Sequence, residues 1–593
     1  MIADNTTLLS TRIKHSLSRS ISHIRAPFAL ETFLASGALR FMAREARNEG
    51  IPNLIRSIGA TIAERDLQFR PDRTLGEELS IKAERYGSKA YIQFEGNHYS
   101  YNLINDHAAR VSSYMEEAGM EEASVIGILL PNLPAYLEIF FASQRIGATA
   151  VPINTSLKDD GLAYILNNAG VRMIFTVQSL LGEIERITDR IEIPLKIVVV
   201  PETCNESFPD NITQADYLPY AQVLERRPQR EPRHNVRPDT PSMLMYTSGT
   251  TGYPKGVVYT YGTSQAKMTR FLAHLLVQED DIYYTCLPLF HANALVVTAM
   301  SVLYAGATLA LSRKFSARNF WREIRESRAT GFNTLGTMIA ILMKQPEDPM
   351  DGVHRVRRVV SSACPATLWE GFESRFNVTL IESFGAVDGG GIVTMNVGNA
   401  PVGSIGRPLG KVQWRLVDTN GDDVPPGEPG ELIHFAGGTK SREVNYFNNQ
   451  QASADKTRDG WVRSGDLMWR DKKNFLYFAG RNSDSMRCGG ENVSALDVEN
   501  AVNKFPSVLE SAAFGVPSEL AEEDVMVVVQ PREGCIIIPE DIANFLQDKL
   551  PKYAQPRYIR VMTQLPKTET HRVIKHSLKK EGITPDCWKA TKR

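Results

Sequence analysis

Residues 246–256 read Tyr-Thr-Ser-Gly-Thr-Thr-Gly-Tyr-Pro-Lys-Gly. Three glycines (Gly249, Gly252, Gly256), four hydroxyl side chains (Thr247, Ser248, Thr250, Thr251) and the ammonium of Lys255 share that short stretch. An apolar run at 243–246 leads in, and the β-branched pair Val257 and Val258 leads out. Two strand-like runs are thus expected to flank a loop rich in polar donors. Glycine lets successive N–H groups turn toward one point, hydroxyls add neutral donors, and lysine adds a point charge. Together they predict a cradle for a polyphosphate. The pattern differs from the common phosphate loop, in which lysine follows a glycine and Ser or Thr follows the lysine. Here Pro254 precedes Lys255 and Gly256 follows it. A flexible linker of the same composition would lack the flanking apolar runs.

At 593 residues the chain is long enough for two or more domains with a large core. Its 42% hydrophobic and 23% charged residues are ordinary for a globular protein. A formal net charge of −1 gives no global field to attract nucleic acid, so no nucleic-acid partner is expected. Six cysteines are scattered without paired spacing or neighbouring histidine clusters. That speaks against a disulfide framework or a zinc site and for a reducing, cytoplasmic location. No apolar run approaches the ~20 residues of a membrane-spanning helix.

The first segment, 1–72, has its own character. Arg12, Lys14, Arg19 and Arg25 face a single early acid, Asp4, and Phe28, Leu30, Phe33, Leu34, Leu39, Phe41 and Met42 then suggest an amphipathic helix. Three readings stay open: a peripheral membrane-surface contact, a cleavable targeting peptide, and a helical extension packed on the body. From 124 onward, short apolar runs alternate with helical periods. Strands are expected at 125–130, 148–153, 171–177 and 195–200, and helices at 135–146, 161–168 and 179–190. The rhythm resumes after the phosphate loop, with strands at 282–287, 307–311 and 359–362 and helices at 294–304, 317–327 and 367–376. This is βαβ order and predicts a largely parallel sheet covered by helices. The turns Thr419-Asn420-Gly421-Asp422 and Pro425-Pro426-Gly427 then signal an antiparallel, hairpin-rich part. The expected architecture is α/β: a large domain over 73–480 and a small, mobile α+β domain over 481–593.

Thr-Ser-Gly-Thr-Thr-Gly-x-Pro-Lys-Gly resembles the signature loop of the adenylate-forming enzymes, which include acyl-CoA synthetases, adenylation domains and firefly-type luciferases. The similarity runs from about Leu75 to the last twenty residues. It implies a carboxylate that attacks the α-phosphorus of ATP with Mg2+ present, followed by transfer of the acyl group to coenzyme A. Thr247, Ser248, Gly249, Thr250, Thr251, Gly252 and Lys255 are then the phosphate grip. Asp466, in Ser464-Gly465-Asp466, matches the ribose-binding aspartate, and Arg481 resembles the arginine that nears the ribose or phosphates. Phe384 takes the position of the ring that stacks on adenine, and Ala363-Cys364-Pro365 that of the turn lining the purine. His291, in Leu289-Phe290-His291-Ala292-Asn293, matches the residue gating the acyl channel. Gly489, Gly490 and Glu491 match the loop that forms the pantetheine tunnel, with Ser483 in the hinge position.

Two departures stand out. Where the family carries aromatic-Gly-x-Thr-Glu, this chain reads Phe384-Gly385-Ala386-Val387-Asp388. A phosphate-contacting hydroxyl becomes the methyls of Val387, and the metal-holding glutamate becomes Asp388, one methylene shorter. Near the end, the lysine expected to bridge carboxylate and phosphate is replaced by Arg572, with Lys575 as the other candidate cation. The sequence therefore predicts an ATP-dependent acyl-CoA synthetase acting on a fatty or other apolar acid, nearest the fatty-acid transport protein and carnitine-CoA ligase branches. A carnitine- or crotonobetaine-type ligase, a carrier-protein adenylation module and a catalytically weak ATP-binding homologue are the alternatives. Oligomeric state is not legible.

Overall fold

The computed structural model describes residues 73–590 apart from 204–216, 229–230, 234–235, 248–253, 263–275, 390–392, 399, 409–411, 437–442, 482–484, 489–490, 519–522, 548, 551 and 569–571. The helix expected near 28–42, the hinge position Ser483, and the loop tip 248–253 lie outside the described residues. The chain divides into two compact units: residues 1–413 with 435–462, and residues 414–434 with 463–593.

The first unit is α/β and holds two large sheets. One has seven strands in the order Tyr217–Pro219, Lys196–Val200, Met173–Val177, Val125–Leu129, Thr149–Pro152, Pro241–Thr247 and Lys255–Thr260. All neighbours are parallel except the last pair, which is the phosphate-loop hairpin. Continuous apolar runs make these strands because both faces are covered; Met173–Val177 is buried throughout. The other sheet has nine strands. Its parallel centre runs Thr379–Gly385, Arg358–Ser362, Gly331–Leu335, Ile282–Thr285, Thr308–Leu311 and Ala90–Phe94, with antiparallel strands at both edges.

The helix Pro134–Arg145 is buried along nearly its whole length. Pro134 opens it at a position where a missing N–H costs nothing. The polar side chains it takes inside are partly satisfied, the Tyr136 hydroxyl being left without a hydrogen-bond partner among the described residues. Glu138 accepts from the Tyr220 hydroxyl at 2.7 Å, and Arg145 donates to Ser80 Oγ at 2.8 Å and Asn105 Oδ1 at 3.1 Å. Some elements differ from the periodicity reading. The helix expected at 294–304 starts as a π-helix over Asn293–Ala299 before turning α over Met300–Ala305. A strand Gly331–Leu335 and a helix Gly336–Met343 were not expected at all, because Asn333 and Thr334 break the apolar run that usually marks a buried strand.

The second unit is compact α+β. Trp414–Val417 pairs antiparallel with Gly430–Phe435 across the predicted turns, where Asp418 Oδ1 accepts from Asn420 N and Asp422 N. A long hairpin, Val508–Pro517 with Glu523–Pro531, is extended in parallel by Tyr558–Val561. The helices Ala495–Val502 and Pro539–Leu546 place Val498, Val502, Ile542 and Leu546 against its apolar face.

Candidate active site

The hairpin at the edge of the seven-stranded sheet fixes the base of the predicted cradle. Thr247 stands opposite Lys255 and its hydroxyl donates to the Lys255 carbonyl at 3.4 Å. Gly256 stands opposite Tyr246, whose ring fills the space a β-carbon would need, 2.9 Å away. The outer side of Lys255–Thr260 is covered by 445–447: Val258 N donates to Asn445 O at 2.9 Å and Phe447 N to Gly256 O at 2.7 Å. This places the Tyr446 ring under the Lys255 ammonium, 5.4 Å from its centroid.

From the same ring, the Tyr446 hydroxyl donates to Asp388 Oδ2 at 2.6 Å, and Lys456 Nζ lies 3.1 Å from that oxygen. Burial alone would raise the Asp388 carboxyl. The Lys456 ammonium and the tyrosine hydroxyl outweigh it and hold the group below the usual aspartate range. Tyr446, buried and facing that carboxylate, is pushed far up and stays a donor. Next to Asp388, the Val387 carbonyl accepts from the Tyr259 hydroxyl at 3.2 Å. Tyr446, Lys456 and Tyr259 were not singled out from sequence. Tyr446 is 58 residues from Asp388, and nothing local marks the pair.

The predicted purine turn is built on a buried carboxylate. Glu382 accepts from Ala363 N at 2.5 Å and Cys364 N at 3.1 Å, and burial pushes its carboxyl up to about 7. Ala363 adopts φ of +67°, and its carbonyl lies so close to Gly336 that a β-carbon there would be 1.8 Å away. Glycine at 336 is thus required for the turn to sit where it does. Burial lifts the Cys364 thiol to about 12, so it is no thiolate at neutral pH. Phe384 lies two residues after Glu382 on Thr379–Gly385 and so shares the face turned toward this corner.

His291 closes a turn, its N–H donating to Pro288 O at 3.0 Å, and its carbonyl accepts from Leu295 N at 3.0 Å. Its ring packs at 4.6 Å from that of Phe290. Beyond it, the π-helix and following α-helix line a cleft with Phe140, Met243, Tyr259, Val296, Met300 and Tyr304. Because Tyr259 also holds Val387, this cleft adjoins the Asp388 corner.

In the second unit, Asp466 is buried on Trp461–Arg470, directly opposite Arg481 on Leu476–Arg481. The preceding turn is held by Glu431, which takes Gly465 N at 3.0 Å and pairs with Arg463 Nε at 2.9 Å. Glu491 stands opposite Cys488 in a two-stranded ladder; Gly489 and Gly490 lie outside the described residues. Arg572 is exposed, its N–H donating to Thr568 Oγ1 at 3.2 Å. Lys575 pairs with Glu499 at 2.7 Å.

No group of three His, Cys, Asp or Glu among the described residues is arranged to hold a metal. Mg2+ in nucleotide sites reaches the protein through one or two carboxylates and completes its shell with phosphates and water. Asp388, whose Oδ2 is taken by Tyr446 and Lys456, fits that minimal role through Oδ1.

Known proteins resemble this chain over most of its length. A family model described as AMP-binding enzyme matches residues 79–438, and one described as AMP-binding enzyme C-terminal domain matches 497–572. The crotonobetaine/carnitine–CoA ligase of Citrobacter koseri is 28% identical over 513 residues, covering 84% of this chain and 97% of that protein. The sulfoacetate–CoA ligase of Cupriavidus necator is 28% identical over 508 residues, covering 84% and 96%. Among solved structures, the anthranilate CoA ligase AuaEII in complex with anthranoyl-AMP shares the fold with a TM-score of 0.75 at 24% identity, covering 86% of this chain and 98% of that one. ATP-bound MatB from Rhodopseudomonas palustris gives 0.74 at 21% identity, covering 85% and 98%.

Proposed function

We propose that this chain, which belongs to the AMP-binding enzyme family, is an ATP-dependent acid–thiol ligase that makes acyl-CoA through an acyl-adenylate. A carboxylate oxygen of the acid attacks the α-phosphorus of ATP, and the bond to the bridging oxygen breaks to release pyrophosphate. The sulfur of coenzyme A then attacks the acyl carbon, its proton leaves, and AMP departs. Little covalent chemistry is asked of the protein, so its share is positioning and electrostatics. Mg2+, where bound, neutralises phosphate charge.

The chain's residues divide that work. Lys255, Thr247 and the loop 248–252 hold the outer phosphates. Glu382 fixes the Ala363–Cys364 turn as the wall of the purine pocket, with Phe384 stacking on the base. Asp466 accepts from the ribose hydroxyls, and Arg481 supports the same end of the nucleotide. Asp388, kept ionised by Lys456, would hold Mg2+ through its other oxygen. Arg572 supplies the cation for the developing charge. His291 gates the entry of the acid, and residues 489–491 take the pantetheine arm.

The observation that carries this reading is the link from Lys255 through the Tyr446 ring to Asp388. One side chain joins the cation of the signature segment to the carboxylate in the metal position. For the acid, the mostly apolar lining of the cleft favours a fatty or other apolar chain. A second reading has its own support: Phe140, Tyr259, Tyr261 and Tyr304 also line the cleft, and aromatic faces are how proteins hold quaternary ammonium groups such as that of carnitine.

Pyrophosphate release measured across fatty acids, aryl acids and carnitine, with and without CoA, tests both. Release with fatty acids and CoA-dependent thioester formation are expected. Turnover of carnitine alone selects the second reading. No release above background with any acid defeats the assignment as an enzyme.

A further inference from the structure

The π-helix beside the acid cleft is held by a buried side-chain network that no helical pattern requires. Asn333 Nδ2 donates to Asn293 Oδ1 at 2.9 Å and to Thr298 Oγ1 at 2.8 Å, while Asn333 Oδ1 accepts from the Tyr283 hydroxyl at 2.9 Å. Thr298 Oγ1 in turn donates to the Asn293 carbonyl at 3.0 Å. Asn333, Thr298 and Tyr283 are each no more than 2% exposed, so solvent is not there to replace these bonds. Both amide hydrogens and the carbonyl oxygen of Asn333 are in use.

The two residues Asn333 bridges are the first and sixth of the π-segment, five apart. On an α-helix, residues five apart lie roughly 140° around the axis, so one amide could not reach both. In a π-turn the i to i+5 hydrogen bond stacks them on one side. The network is therefore satisfied in one winding of the segment and not the other. That winding decides what faces the cleft. Removing the extra residue of a π-turn rotates everything beyond it by roughly 100°. Val296 and Met300 line the cleft in the observed winding.

We propose that Asn333 is a specificity-setting positioning residue. By clamping Asn293 to Thr298 it keeps 293–299 in π-form and so shapes the wall against which the acyl group packs. The proposal rests on the reading of the cleft as the acid pocket. Asn333 touches no reacting atom in this account; it acts through Val296 and Met300.

The test uses the full chain with Thr298→Val, which keeps the shape and loses the hydroxyl, Thr298→Ser, which restores it, and Asn333→Asp, which loses both donors. Two measurements are made. The first is kcat/KM for a series of straight-chain acids alongside KM for ATP. Thr298→Val and Asn333→Asp are expected to cut the discrimination between the best acid and one two carbons shorter by about tenfold or more, with KM for ATP within about twofold. Thr298→Ser should keep the parent's preference. The second is backbone hydrogen exchange of the peptide spanning 291–305 without substrate, which should quicken in the first two variants and not in Thr298→Ser. Unchanged acid preference and exchange in Thr298→Val and Asn333→Asp would overturn the proposal, as would a uniform loss for all acids and ATP alike. Because exchange is read without turnover, a protein active on no acid would sink the assigned activity while the clamp was still judged.

Discussion

At the scale of single residues, two carboxylates, the half-buried Asp388 and the buried Glu382, are set in opposite directions by their surroundings. Asp388 is held low because the Lys456 ammonium and the Tyr446 hydroxyl outweigh burial. A carboxyl lowered in the folded state contributes stability above its unfolded value of about 3.9, and that stability is lost as pH falls through the folded value. It is thus fully present at pH 7. Lys456→Met leaves the half-buried charge without its ammonium partner and is expected to cost roughly 1–3 kcal/mol in denaturant unfolding at pH 7, a gap that closes toward about pH 4. The same variant should slow pyrophosphate release, since Asp388 would then resist ionisation. Glu382 is the converse. Burial raises it to about 7 even though Ala363 N and Cys364 N both donate to it. A raised carboxyl contributes stability that is complete below the unfolded value of about 4.3 and fades as pH climbs through the folded one. Glu382→Gln never ionises, so the stability of the parent relative to this variant should be greatest below about pH 4 and shrink by up to about 4 kcal/mol by pH 8. A difference that stays flat across that range would show that Glu382 is not raised.

At the scale of elements, close approach of backbones decides what the purine corner can tolerate. The helix Gly336–Met343 begins against the Ala363 carbonyl, at a distance that excludes any β-carbon. Gly336→Ala must push the Ala363–Cys364 turn out of place. Overpacking of this kind costs about 1–3 kcal/mol. Because the turn lines the proposed base pocket, AMP binding measured by calorimetry should weaken about tenfold or more, beyond any change in unfolding midpoint. The same elements explain which parts were legible. The strand-like runs around Thr247 and Lys255 could be read because they are apolar; that they pair with each other as a hairpin could not. The βαβ order could be read because strands covered on both faces are apolar throughout, as in Met173–Val177. The strand Gly331–Leu335 could not: its Asn333 is buried as a hydrogen-bonding post, and a buried polar residue looks like a surface one in a one-dimensional pattern. The π-turn was hidden for the same reason, since its cause is a partner 40 residues away in the chain. Tyr446 and Lys456 escaped because their importance lies wholly in what the fold brings to Asp388.

At the scale of the whole molecule, the residues assigned to the nucleotide are shared between two compact units. Lys255, Glu382, Phe384 and Asp388 belong to one; Asp466, Arg481, Arg572 and Lys575 belong to the other. We favour Arg572 over Lys575 as the catalytic cation on the shape of its side chain and the setting of Lys575. Lys575 already has a carboxylate, Glu499, at 2.7 Å, at the start of the helix Lys575–Glu581. Its charge there is spent within the unit. Arg572 is exposed on the segment before that helix, and its guanidinium has the planar, two-pronged geometry that suits carboxylate or phosphate. Arg572→Ala should therefore lower the rate of pyrophosphate release by about a hundredfold or more, the usual loss when one donor to a developing charge is removed. Lys575→Ala should stay within about tenfold of the parent, since breaking a partly exposed ion pair costs little. The second half-reaction separates chemistry from folding. With preformed acyl-adenylate supplied, transfer to CoA by Arg572→Ala should match the parent, because the adenylation step has been bypassed. A variant whose two half-reactions fell together would be damaged in its structure. Lys575→Ala as the more harmful substitution would move the catalytic role to Lys575 and make its pairing with Glu499 a resting contact that must break before chemistry.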